Sequence, residues 1–175
     1  MGVVFFHNPD EQNGYLSNWC PSRFDFNGIT YSSMEQFMMH RKALCFGDVA
    51  SASLILDADD PAEIKLLGRG VSNYDECIWN GMRQIVVFEG VLAKFSQNVE
   101  MLERLLATGD EMIAECAVKD RIWGIGLSMN DDRRLDKSQW RGQNLLGYTL
   151  MMARDRLRRD NVIESKQLHS ADIRV

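Results

Sequence analysis

Tyr31–Lys42, Y-S-S-M-E-Q-F-M-M-H-R-K, is the stretch whose reading decides the fold. Ser32 is a residue type that caps helix N-termini, and Glu35 follows three positions later, the spacing of a capping box. Glu35, Met38 or Met39, and Lys42 then share one helical face, while Phe37 and Leu44 anchor the other in a core. Glu35 and Lys42 are separated by about 10 Å along a helix axis. That is too far for a direct ion pair and suits an acid and an amine at opposite ends of one small cleft. A plain surface helix fits the same pattern, its glutamate capping the start and its lysine complementing the dipole at the end. The rest of the chain has to separate the two readings.

Immediately upstream, Asn27-Gly28 is a strong hairpin signal between Arg23–Phe26 and Ile29–Tyr31, so a β-hairpin leads into the helix. Further back, Val3–Phe6 is a short β-prone apolar run, followed by the turn-rich loop Asn8–Gly14. Downstream, Asp48 caps a second helix running through Leu56. Asp60-Pro61 opens a third, which Gly68 ends. Asp75 opens a long helix with Ile78, Met82, Ile85, Val86, Leu92 and Phe95 as core positions and with Gly81 and Gly90 as points of weakness and bending. Asn98 caps the next helix, whose stripe is Met101, Leu102, Leu105 and Leu106, and Gly109 stops it. Met112–Val118 reads as a strand interrupted by Glu115, a carboxylate that either pairs with Arg83 or Lys94 or does chemistry. Trp140–Arg159 reads as the last main helix, with Leu146, Leu150, Ala153 and Leu157 inward. Residues 1–160 form one domain in this reading, and 161–175 a peripheral tail.

The bulk properties narrow the function. A chain of 175 residues suits one domain with a sizeable core. The formal net charge of −5 offers no global basic footprint, so a nucleic-acid substrate would need a local basic patch. No apolar run spans a bilayer, and the first residues lack the charged region and cleavage site of a signal peptide. The four cysteines are scattered with no CxxC pair and no histidine cluster, which suggests neither zinc nor a disulfide framework and makes a reducing cytoplasm the expected compartment.

Several stretches together carry a resemblance. They are Leu16-Ser17-Asn18-Trp19, Ser33-x-Glu35-Gln36 with Lys42, Leu67-Gly68-Arg69, Ala93-Lys94-Phe95-x-Gln97-Asn98, Glu115 with Asp120, Trp123-Gly124-x-Gly126, and Gly142-Gln143-Asn144-Leu145-Leu146-Gly147. In this order and spacing the chain resembles the NADAR family, YbiA-like proteins included, over roughly residues 4–158. Ile125, Leu127 and Trp19 depart from the YbiA-like branch. The resemblance implies an α+β, mostly helical fold, a small sheet with the N-terminal hairpin packed by several helices. It also implies a hydrolase that cleaves a bond between a ribose C1 and a nitrogen. One family substrate is ADP-ribose attached to guanine, in DNA, RNA or a nucleotide. The other is a phosphorylated ribosylamino-pyrimidine intermediate of riboflavin synthesis. The family lysine, which attacks C1 and passes through a Schiff-base-like intermediate, matches Lys42, and the family carboxylates match Glu35 and Asp120. Asn144, Gly147, Gly124 and Gly126 match the ligand-binding pattern.

The residue types fit that chemistry. Carboxylates can stabilise the developing ribosyl cation and protonate the leaving base. A lysine can take C1 only when neutral, which burial promotes. Trp19 and Trp123 offer stacking surfaces for a base, with Asn18 beside them. Gly124 and Gly126 would let backbone amides approach a phosphate, and Arg69 suits a bidentate phosphate contact. The scheme calls for no metal and no cofactor. A functional link to an ADP-ribosylating toxin, no membrane partner and a monomeric state complete the expectation. The competing reading is a non-catalytic ADP-ribose or nucleotide-binding module, which would need no nucleophile.

Overall fold

A computed structural model describes the backbone of residues 2–172 and the side chains through Asp160. The chain begins with strand β1 (Val3–Phe6). A hairpin of β2 (Pro21–Phe26) and β3 (Ile29–Ser33) follows, leading directly into helix α1 (Met34–Cys45). Asn27 and Gly28 both adopt positive φ, 51° and 80°, as a two-residue turn matched to strand twist requires. Helices α2 (Val49–Asp57), α3 (Pro61–Arg69), α4 (Glu76–Gln97) and α5 (Val99–Ala107) come next. The chain then returns through β4 (Met112–Glu115), crosses a long loop and ends in α6 (Leu145–Asp172). This is the expected mostly helical α+β architecture, with two separate two-stranded sheets instead of one small sheet.

The second sheet has no local sequence signature. β1 pairs in parallel with β4, from Val3 opposite Met112 to Phe6 opposite Glu115. A parallel pair demands a crossover, and here the crossover contains the hairpin and five helices. One face of the pair joins the main core through Phe6 and Ile113. The other covers a small cluster of Ala114, Cys116, Ile125 and Leu127.

The hairpin packs on α1 through aromatic side chains. The Tyr31 and Phe37 rings meet edge-on at 5.0 Å, and Phe26 meets Phe37 at 5.2 Å. Helix α4 crosses the same ring. A Cβ added at Gly90 would lie 2.5 Å from Phe37 and 2.8 Å from Met34, so this glycine permits a close helix crossing, and α4 runs on without interruption. Ile78, Met82 and Ile85, read from the sequence as core, are 52%, 41% and 56% exposed. The face that α4 buries carries Trp79, Arg83, Val86, Val87, Val91, Lys94 and Phe95 instead. Apolar residues on both faces blur the 3.6-residue period at its N-terminal half.

Other boundaries shift for physical reasons. Gly68 lies inside α3, where a Cβ would run into Met39, and Gly70 caps the helix. Asn98 does not cap α5 with its side chain; its Nδ2 donates to the carbonyls of Lys94 and Arg23, closing the end of α4 against β2. Gln97 extends that seam by pairing with both backbone groups of Asp25. The β4 strand stops at Glu115, short of Val118. The last helix starts at Leu145 instead of Trp140 and continues past Asp160 to Asp172. The expected peripheral character of residues 161–175 rests on side chains outside the described residues. No described helix is long and apolar enough to cross a membrane.

Candidate active site

The N-terminus of α1 is fixed one residue later than the local pattern suggests. Ser33 is the N-cap and accepts from the Gln36 backbone N–H at 3.2 Å. Gln36 Oε1 reaches back to the Ser32 N–H at 2.8 Å, a reciprocal cap in which glutamine takes the part expected of Glu35. Gln36 Nε2 also donates to the carbonyls of Ile55, Leu56 and Ala58, tying α1 to the end of α2. Relieved of capping, Glu35 turns into a cleft. Its backbone N–H donates to the Asn18 carbonyl at 2.9 Å, which docks the Asn18-Trp19 segment on the start of the helix.

Buried Lys94 secures that segment from behind. Its Nζ donates to the Tyr15 carbonyl at 2.7 Å and the Ser17 carbonyl at 3.3 Å. This accounts for Lys94 without involving Glu115. The Glu115 side chain instead faces the cleft, fixed by its backbone. Its N–H donates to Asn144 Oδ1 at 3.1 Å, and its carbonyl accepts from the Ile125 N–H at 2.8 Å.

The cleft has two connected lobes. The inner lobe, about 250 Å³, is lined by Glu35, Met38, Met39 and Lys42 from α1, with Asn18, Ile122 and Trp123 opposite. The outer lobe, about 470 Å³, is lined by His7, Asn8, Pro9, Ser17, Ala117, Val118 and Lys119. Trp19, Lys65, Arg69, Glu115 and Asp120 line both and form the wall between them. α1 therefore does present Glu35, Met38, Met39 and Lys42 on one face.

The electrostatics of this cleft are unusual. Glu35 is 3% exposed. Burial pushes its carboxyl up to about 7; nearby Asp120 adds to the rise, while Lys65, the Trp19 side chain and Arg69 oppose it. Burial likewise pushes Glu115 up to about 8, reinforced by Asp120 and Glu35 and opposed by Lys65. Glu35 Oε1, Glu115 Oε2 and Asn18 Oδ1 are buried without hydrogen-bond partners among the described residues. Buried polar atoms are normally satisfied, and these three, grouped on one cleft, are placed to meet a ligand or water. Asp120 is held differently. Its Oδ1 accepts from the Ile122 and Trp123 N–H groups at 2.9 and 2.8 Å, leaving the second oxygen for the cleft.

Lys42 lines the inner lobe only. Its Nζ donates to the Gly68 carbonyl at 2.7 Å and sits 4.3 Å from the centroid of the Tyr74 ring. Burial lowers its pKa, favouring the neutral amine. Lys65 Nζ rests 5.5 Å from the Trp19 ring centroid. Exposed Arg69 completes a cationic rim. Among the described residues no three His, Cys, Asp or Glu side chains are grouped so as to hold a metal ion.

Lys42, Glu35, Asp120, Asn18, Trp19, Arg69 and Trp123 thus converge on one cleft. Gly124, Gly126, Asn144 and Gly147 do not line it. A Cβ at Gly124 would lie 2.9 Å from the Glu115 carbonyl oxygen, and one at Gly147 would collide with the Ile113 carbonyl. Gly126 takes φ 71° against Arg141. Fully buried Asn144 donates from Nδ2 to the Ile113 carbonyl at 2.9 Å. These four residues shape the support behind Glu115 and Asp120, so the expected phosphate contact through Gly124 and Gly126 has no surface to act on. Two residues of the wall shared by both lobes go beyond the expected set. Glu115 had a signal, a carboxylate in an otherwise apolar strand. Lys65 had none, being one lysine on an ordinary amphipathic helix.

Comparison with known proteins places this geometry in a family. The NADAR domain matches residues 4–158. N-glycosidase R617 of Acanthamoeba polyphaga mimivirus is 39% identical over 160 residues, 87% of this chain and 94% of that protein. The riboflavin biosynthesis protein VVA0006 of Vibrio vulnificus is 32% identical over 154 residues, 88% of this chain but 38% of its own length. The solution structure of YbiA from E. coli superimposes with a TM-score of 0.77 at 25% identity, covering 92% of this chain and 88% of that one. The chain belongs to the NADAR domain family, and with its YbiA-like relatives it is an N-glycosidase.

Proposed function

We propose that this N-glycosidase removes ADP-ribose from ADP-ribosylated guanine, in nucleic acid or a nucleotide, with Lys42 as nucleophile. The observation that carries the reading is the half-buried amine of Lys42 in the same lobe as the buried Glu35 carboxyl, whose pKa is raised and whose Oε1 has no hydrogen-bond partner. The Lys42 amine attacks the ribose C1. The C1–N bond breaks with its electron pair going to the base nitrogen, which takes the proton of a neutral carboxylic acid. Glu35 is that acid, with Glu115 beside it. The ammonium formed at Nζ returns a proton to the carboxylate, and the ring oxygen then leaves C1, protonated, to give an imine. Water adds to the imine carbon and releases the aldose and the free amine. Asp120 orients the ribose hydroxyls through its unbonded oxygen, and Arg69 with Lys65 meets phosphate. Together the two lobes reach the size range that encloses a drug-sized ligand.

A phosphorylated ribosylamino-pyrimidine presents the same bond and is the second reading, favoured by the likeness to the Vibrio protein. Turnover of both substrates by wild type and Lys42→Ala, followed by mass spectrometry with borohydride present, tests the proposal. Guanine released by wild type alone, with a reducible adduct on Lys42, is the expected result. Unchanged base release by Lys42→Ala overturns the nucleophile. Binding of ADP-ribose without turnover of either substrate would overturn both substrate readings.

A further inference from the structure

We infer that the outer lobe is the leaving-base subsite, shaped for a purine-sized aromatic base, and that the ribosyl C1 reacts in the inner lobe. The inference rests on Lys42 as nucleophile. Displacement at a carbon is in line, so the nucleophile and the departing nitrogen lie on opposite sides of C1. Lys42 lines only the inner lobe, and its place on α1 is about 10 Å along the axis from Glu35. The carboxyl wall of Glu115 and Asp120 faces both lobes. A C1 between Lys42 and that wall sends its leaving nitrogen toward Glu115, with Glu35 beside it, and its base beyond them, into the outer lobe. The same C1–N bond breaks there with the electron pair on the base, and Glu35, with Glu115 beside it on the wall, supplies the proton.

The outer lobe has the chemistry a base needs. The Trp19 indole on the shared wall offers a face for stacking, and Pro9, Ala117 and Val118 offer apolar contact. His7 and Asn8 supply polar groups for a base edge. Trp123 lines the inner lobe only, so of the two tryptophans Trp19 is the one that meets the base. At about 470 Å³ the outer lobe is the roomier of the two, which suits a base that stays joined to further nucleotides.

Val118→Trp tests this directly, because Val118 is 58% exposed and a larger side chain there enters the lobe without disturbing the core. Two probes separate the lobes. One is 9-methylguanine, a base without sugar. The other is ribose 5-phosphate, whose open-chain aldehyde forms a borohydride-reducible imine with a reactive lysine. Wild type is expected to bind both at once, each without affecting the other. Val118→Trp is expected to weaken 9-methylguanine at least tenfold and leave the ribose 5-phosphate adduct within twofold of wild type. Loss of the adduct with base binding intact would assign the outer lobe to the phosphoribosyl arm and overturn the inference. Mutual exclusion of the probes, no effect of the substitution on either, or no binding of 9-methylguanine to wild type would also overturn it. Failure of the Lys42 adduct in wild type alone refutes the nucleophile, while 9-methylguanine titration by NMR still reports on the lobe.

Discussion

Glu35→Gln should stabilise the protein at alkaline pH while removing turnover. Glu35 is nearly inaccessible, and its carboxyl is pushed up to about 7 by burial. A carboxyl whose folded pKa lies above its unfolded value binds more protons folded than unfolded, so it costs stability as pH rises between the two values. From the ordinary value of 4.5 to about 7, each unit is worth about 1.4 kcal/mol, which makes the cost about 3 kcal/mol at pH 8 and under about 1 kcal/mol at pH 5. Glutamine keeps the shape and removes the charge, but retains polar atoms without partners, so roughly 2 kcal/mol of the cost is recoverable at pH 8. With a urea m-value of about 2 kcal/mol/M, the unfolding midpoint at pH 8 should rise by roughly 1 M, and the two proteins should nearly coincide at pH 5. Urea titrations followed by tryptophan fluorescence at both pH values make the measurement. A variant no more stable than wild type at pH 8, or equally stabilised at pH 5, would refute a buried carboxyl with a raised pKa at this position.

Two glycines on α4 should respond oppositely to alanine. Gly90→Ala drives a methyl into Phe37 and should cost about 1–3 kcal/mol, whereas Gly81→Ala meets nothing within 4 Å and should gain about 0.5–1 kcal/mol; thermal unfolding of both variants checks the sign of each. Asn144→Ala leaves the Ile113 carbonyl and the Glu115 N–H unpaired, and should destabilise by roughly 2–4 kcal/mol in urea unfolding.

Legibility in the sequence followed distance along the chain. Asn27-Gly28 specifies its turn because positive φ is a local demand. Asp48, Asp60 and Asp75 each cap the helix that follows, because a cap is a contact across two or three residues. The common face of Glu35, Met38, Met39 and Lys42 follows from helix periodicity alone. Reading the cap at Ser32 failed by one residue because serines stand at both positions, and only the hydrogen bonds of Gln36 choose between them. The exposed side of α4 was misread because its first turns carry apolar residues on both faces. The place of the glycines after Trp123, behind the cleft, was not legible because a close approach looks the same in sequence whether the neighbour is a ligand or a carbonyl of the same chain.

By itself the sequence determined the hairpin, the helix it launches, and an ordered set of motifs specific enough to name a family. Tertiary structure alone decided that the strand beginning at Met112 pairs with the one beginning at Val3, which brings Glu115 beside Glu35 and Asp120. It also decided that Lys65 is the cation opposing the rise of both buried glutamates. A carboxyl's pKa depends on the water it loses and the charges it faces. Both are set by segments distant in the chain, so no local pattern can encode them.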